Sequence, residues 1–236
     1  MSTFNNEPAA IKKGSIVLFP FLIFAEPEKV FERVATRSPW LAPLMTCIVG
    51  FFVVTWLGGC WTNIREGLRW WSLLGPAIGS TLLVGMTSLG STVALYSVAW
   101  IAGTKGSGRP TYRMLFSLNT HCAPILILGE LINVLVVRSG VLQDLNLALP
   151  NRFPLGLDLL LLGAKEPNIY LTIFLHSTSI FVLWYLAVLA SGLKHISGLG
   201  SARSAAIAAA VWLLCVGLVV GIIYNAGGGT VFRVTM

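Results

Sequence analysis

Residues 114–137 read Met114-Leu-Phe-Ser-Leu-Asn-Thr-His-Cys-Ala-Pro-Ile-Leu-Ile-Leu-Gly-Glu-Leu-Ile-Asn-Val-Leu-Val-Val137, with a single charged side chain, Glu130. As a helix this stretch would be about 36 Å long, more than the roughly 30 Å of bilayer hydrocarbon. Four further runs have the same character: about 41–59, 76–102, 168–191 and 204–225. Between them lie residues that a bilayer core rejects: Arg65 and Arg69; Lys105 through Pro110; the long stretch Arg138–Pro167; and Gly192, Lys194, His195, Gly198, Gly200 and Arg203. The apolar piece Leu155–Leu162 is too short to cross and reads as re-entrant or interfacial.

Composition agrees with this pattern. Of the 236 residues 56% are hydrophobic and 11% charged, and the mean hydropathy is +0.81. Soluble domains carry about 25% charge. An aqueous enzyme, a disordered chain and a nucleic-acid module are therefore excluded, and the fold class is all-α: a polytopic membrane protein of five transmembrane helices. The expected division is a cytoplasmic segment over 1–40, a membrane domain over 41–225 and a short external tail over 226–236. The run Ile16–Phe24 resembles a signal-peptide core, but Pro20 interrupts it and no small-x-small cleavage site follows, so it reads as retained.

The net charge of +7 arises from 16 basic and 9 acidic residues. A cytoplasmic N-terminus puts Lys12, Lys13, Lys29, Arg33, Arg37, Lys105, Arg109, Arg113, Lys194 and Arg203 inside. It leaves Arg65, Arg69, Arg138, Arg152, Lys165 and Arg233 outside. That bias orients the chain N-inside and C-outside, with anionic headgroups as partners of the inner basic loops and no nucleic acid.

Two flanking segments have the pattern of interfacial amphipathic helices. In Pro27–Thr36, Val30, Phe31 and Val34 share a face opposite Glu28, Lys29, Glu32 and Arg33, with Pro27 starting the helix and Pro39 stopping it. In 61–73, Trp61, Ile64, Leu68 and Trp71 recur at helical spacing while Arg65 and Arg69 pair opposite them. Phe31, Trp40, Trp61, Trp70 and Trp71 are the expected headgroup-level anchors.

Glu130 is the acidic residue deepest in a span, and such groups are costly enough to be functional candidates. His176 on the fourth span falls near the same depth, with Asn133, Thr172 and Ser177 in reach. The pair could carry protons or ions in a small transporter or channel; the plainer reading is a polar clasp between helices. His121 and Cys122 precede Pro124, but no further His or Cys matches them to complete a metal site, so no metal and no cofactor is expected. Cys47, Cys60, Cys122 and Cys215 read as buried thiols. Thr104–Pro110 lacks the phosphate-loop spacing, and a lipid enzyme would need Asp144, Arg152 and Asp158 to converge, so the chain reads as non-enzymatic. Gly75, Gly79 and Gly85, with Ala77 and Thr81, form a small-residue stripe in the second span, and Gly217 and Gly221 form one in the fifth. Such stripes suit close helix packing, either within the chain or in a homo-oligomer or a complex with another membrane protein.

The sequence resembles the Yip1-domain family in three stretches: Pro27-x3-Phe31-x2-Val34-x4-Pro39; Gly108-Arg-Pro-Thr-Tyr-Arg-Met-Leu followed by Ala123-Pro124; and Phe181-Val-Leu-Trp184 through Gly192-Leu-Lys-His-Ile-Ser-Gly198, then Ala202–Ala210. The resemblance implies a five-helix membrane protein with a cytoplasmic N-terminus. It also implies a trafficking-type role, and the short N-terminal segment places the chain with compact prokaryotic-type members, in a bacterial or archaeal cytoplasmic membrane. The reading as a scaffold or membrane-organising protein rests instead on the missing catalytic sets, the small-residue stripes and the two interfacial helices.

Overall fold

The computed structural model describes residues 21–66, 74–101, 110–138, 156–157, 160 and 169–225; at several of these, including 59–66, 74–77, 80–85 and 176, it describes the backbone alone. The described residues form α1 (Leu22–Ala25), α2 (Pro27–Arg37), α3 (Leu41–Glu66), α4 (Leu74–Ile101), α5 (Tyr112–Cys122), α6 (Pro124–Arg138), α7 (Ile169–His176), α8 (Ile180–Ser197) and α9 (Ser201–Asn225). The protein is an all-α polytopic membrane protein. Four segments are long and apolar enough to cross a bilayer: Leu41–Gly58, Tyr112–Val136, Ile180–Ser197 and Ser201–Leu218. Beside them runs α4, 28 residues long, with an apolar stretch Ser88–Ile101.

The central segment is Tyr112–Val136. Two thirds of it is buried, against under a third of each of the other three. It is two helices because Pro124 cannot continue the hydrogen-bond ladder. Its missing N–H would leave the Thr120 carbonyl without its usual donor, and the Cys47 thiol of α3 donates there at 3.4 Å. Thr111 starts α5 as its N-cap, its hydroxyl accepting from the Met114 N–H.

α2 forms as the sequence pattern requires, but its apolar face packs against the bundle and not against lipid. Val30, Phe31 and Val34 are fully buried and join a core with Leu115 and Leu118 of α5 and Leu189 and Leu193 of α8. Glu28, Lys29 and Glu32 remain exposed. Phe31, expected as an interfacial anchor, is therefore a core residue that also lies beside the His195 ring, with centroids 6.2 Å apart. α2 ends where Ser38 takes a left-handed conformation (φ 45°) before Pro39. The Ser117 hydroxyl of α5 donates to the Pro39 carbonyl at 2.8 Å, fixing the elbow into α3.

Two further expectations are corrected. The first half of 61–73 is not a separate surface helix: α3 continues through Trp61 to Glu66 without a break. Trp70 and Trp71 lie outside the described residues, as does the side chain of Trp61. The fourth span is not 168–191 but α8, Ile180–Ser197. Gly192, Lys194 and His195, read from sequence as a turn, are helical; Gly198, left-handed at φ 66°, ends the helix instead. The actual break is Ser177-Thr178-Ser179, whose hydroxyls compete with the helix ladder. Thr178 donates to the Phe174 carbonyl at 2.9 Å, and Ser179 caps α8 by accepting from the Val182 N–H at 3.2 Å. Gly156 bridges Ser179, and the Leu157 N–H donates to the Thr178 carbonyl at 3.0 Å, so part of the apolar piece Leu155–Leu162 lies against this break.

Close packing uses other glycines than the stripes. A Cβ on Gly192 would run into Leu118 and would stand 2.9 Å from Phe31. One on Gly129 would stand 2.8 Å from Phe181, and one on Gly50 3.0 Å from Ile127. At Gly79, Gly217 and Gly221 a Cβ would meet nothing within 4 Å among the described residues. The surroundings of Gly75 and Gly85 lie outside the described residues.

Candidate functional site: an asparagine node in the membrane

Past its first turn, the polar residues of α5 all point inward. Ser117, Asn119, Thr120 and His121 are buried together with every other residue from Leu115 to Cys122. In hydrocarbon such groups must find partners inside the protein. Thr120 bonds back to the Phe116 and Ser117 carbonyls. The His121 Nδ1 lies 2.6 Å from the Ser117 carbonyl, which can only accept, so Nδ1 carries the proton.

Asn119 is the exception to this local pattern, because it reaches across helices. Its Nδ2 donates to the Ser88 carbonyl at 3.2 Å, to the Ser91 hydroxyl at 2.9 Å and to the Thr92 hydroxyl at 3.1 Å, all on α4. Its Oδ1 accepts from the Tyr185 hydroxyl of α8 at 2.5 Å. One amide thus joins α4, α5 and α8 with its donor and acceptor ends both engaged. A cavity of about 440 Å³ lies beside this node, with Ser88, Ser91, Asn119 and Tyr185 on its polar wall and Leu126, Trp212 and other apolar side chains around them.

Of the residues singled out in the sequence, Glu130 is half-buried on α6 and engaged in a polar or electrostatic interaction, and it does not line this cavity. His176 ends α7, and its side chain lies outside the described residues, so the Glu130–His176 contact does too. Glu130 lies about 27 Å along the helix from Tyr112, toward the end of the bundle opposite α2. His176 precedes the Ser177–Ser179 break that separates α7 from α8. Asn133 is buried with no hydrogen-bond partner for its Oδ1, so it does not join them through that atom. Among the described residues no three His, Cys, Asp or Glu side chains gather as a metal site. Cys47 and Cys122 are buried thiols and Cys215 is half-buried.

Asn119 and Tyr185 escaped the sequence reading. The available signal was four polar residues in succession but one (Ser117, Asn119, Thr120, His121) in an otherwise apolar span, together with Ser88, Ser91 and Thr92 at helical spacing on another.

No curated protein and no solved structure matches this chain. The family model described as the Yip1 domain matches residues 21–223, which includes α2, the Pro124 break, the Asn119 node and the α8–α9 hairpin. The protein is a member of the Yip1-domain family.

Proposed function

We propose that this protein is a non-enzymatic membrane scaffold that organises the bilayer or other membrane proteins around it, with five membrane-crossing segments and a cytoplasmic N-terminus. The observation that carries this reading is the Asn119 node. Both ends of its amide are committed to α4 and α8. A transport site needs polar valence left over for a passing ion, whereas a structural clasp uses it up. The α2 segment supports the same reading. It presents a charged outer face at the bundle end that carries Arg37, Arg113, Lys194 and Arg203, all exposed, where anionic headgroups and membrane partners could gather.

The competing reading is a small transporter or channel built on Glu130 and His176, and the placement of a carboxylate within a span is what favours it. Reconstitution separates the two. The full chain in phosphatidylglycerol-containing proteoliposomes should pass neither protons nor monovalent cations above empty vesicles, while altering vesicle size or curvature in electron micrographs. Flux without any change in vesicle shape would overturn the scaffold role. Orientation is checked by thiol labelling of cysteines placed at residues 3 and 235, which should be reached from opposite faces; labelling of both from one face would refute five crossings.

A further inference from the structure

A second cavity, of about 410 Å³, opens between α3, α4 and α5, apart from the Asn119 node. Its rim and its wall differ in chemistry. Trp40, immediately before α3, and Tyr112 and Arg113, the first residues of α5, stand at the rim. The wall is apolar: Leu44 and Ile48, one and two turns into α3, with Leu89 facing them from α4. Phe116 lines the groove just below the rim and stacks on Tyr112, with ring centroids 6.2 Å apart, while Trp40 packs against it at 5.8 Å.

The depth of the groove is set by helix rise. Ile48 lies about 12 Å from Trp40 along α3. The Tyr96 ring of α4 stands against Tyr112, which puts Leu89 about 10 Å below the rim. Half of a roughly 30 Å hydrocarbon core is about 15 Å, so the groove runs most of the way through one leaflet. Aromatic side chains that are part apolar and part polar belong at the headgroup boundary, where Trp40 and Tyr112 place the rim. Arg113 is exposed there, with no ion-pair partner among the described residues. The positive end of the α5 dipole opens beside it.

We infer that this groove is a binding site for one anionic glycerophospholipid, its acyl chain along Leu44, Ile48 and Leu89 and its phosphate on Arg113. The charge at the rim selects the headgroup, and the apolar wall selects a lipid over a free phosphate. The site rests on the membrane placement of the protein and not on the scaffold role, so either can fail alone.

Native mass spectrometry of the full detergent-purified chain, given equal amounts of phosphatidylglycerol and phosphatidylcholine, tests it. One phosphatidylglycerol per chain should survive activation, favoured at least about fivefold over phosphatidylcholine, a ratio equivalent to about 1 kcal/mol. R113Q should bring the two lipids to near equality. R203Q, which removes an exposed charge at the same end but outside the groove, should leave the preference intact. L44W, which fills the groove, should reduce retention of both lipids, and thermal melts of each variant exclude loss of fold. Equal effects of R113Q and R203Q would show a diffuse surface field and overturn the site. So would retention of inorganic phosphate in place of lipid, or a lipid-free dimer that L44W dissociates.

Discussion

The two halves of the central segment invert the rule for soluble proteins. α5 carries Ser117, Asn119, Thr120 and His121, yet every residue from Leu115 to Cys122 is buried. α6 is the more apolar half, with Ile125, Leu126, Ile127, Leu128, Leu131 and Ile132, yet most of it is only half-buried and Leu135 is 51% exposed. In water the second half would be driven inside by its own surface; in lipid it has nothing to gain, because hydrocarbon surrounds it either way. The polar half is the one that must be covered and bonded. Hydrogen bonds and close packing therefore concentrate at the α2–α5–α8 end, while α6 packs locally at Gly129 and Ile127 and leaves much of its apolar surface to lipid.

The sharpest break of that contrast is Gly192→Ala. The added Cβ would run into Leu118 and press on Phe31, both fully buried, so neither can move aside without disturbing α2 or α5. Overpacking of this kind costs about 1–3 kcal/mol, and the upper part of that range is expected here. Thermal unfolding in detergent should register it, while Gly217→Ala, facing open space, should match the parent. Equal effects at both positions would mean that the α2–α5–α8 end is not where packing matters.

Asn119→Ala comes next. It removes bonds to two helices and leaves the Tyr185 hydroxyl without its acceptor. Interhelical hydrogen bonds in membranes average about 0.6 kcal/mol, so losing the node should cost about 2 kcal/mol. Tyr185→Phe removes one bond alone and should cost about 0.6 kcal/mol. The double variant should fall short of the sum, since both act through the same bond. Strict additivity would dissolve the node into independent contacts.

Cys47→Ala is smaller still. The thiol is a weak donor, but the Thr120 carbonyl it serves is the one Pro124 leaves without a partner. A loss of about 0.5 kcal/mol, below the average for one interhelical hydrogen bond in a membrane, is expected in the melt, with Cys47→Ser recovering part of it because a hydroxyl donates better.

How much of this was readable from the residues depends on what kind of force decides each feature. The apolar runs, the amphipathic pattern of α2 and its stop at Ser38–Pro39 were legible, because hydropathy and backbone sterics are local. The burial of α2 was not: an apolar stripe of Val30, Phe31 and Val34 looks the same against lipid as against Leu193. The fourth span was displaced because glycine and lysine near 192–194 resemble a turn, while Ser177-Thr178-Ser179 resembles helix. Only the bridge to Gly156 and the burial of Gly192 decide between them. The glycine stripes show a related gap: spacing shows that residues share a face, and at Gly79, Gly217 and Gly221 no described residue of the chain covers it. The Asn119 node depends on three helices meeting, which no single segment records.

The smallest expected effect is at Glu130, and it probes the half of the central segment that lipid solvates. Glu130 is half-buried about 27 Å from Tyr112, near the end of the bundle opposite α2, where water and headgroups reduce the penalty for a carboxylate. It takes part in a polar or electrostatic interaction, and an amide of the same shape can keep a hydrogen bond there. Glu130→Gln should therefore shift the melt by less than about 0.6 kcal/mol, the average for one membrane hydrogen bond. Vesicle shape in reconstitution should be unchanged as well. A large loss of stability would place a second structural clasp in α6 and end the contrast between the halves. A proton or cation flux in the parent that vanishes in the variant, with folding intact, would instead make Glu130 the working residue of a transporter.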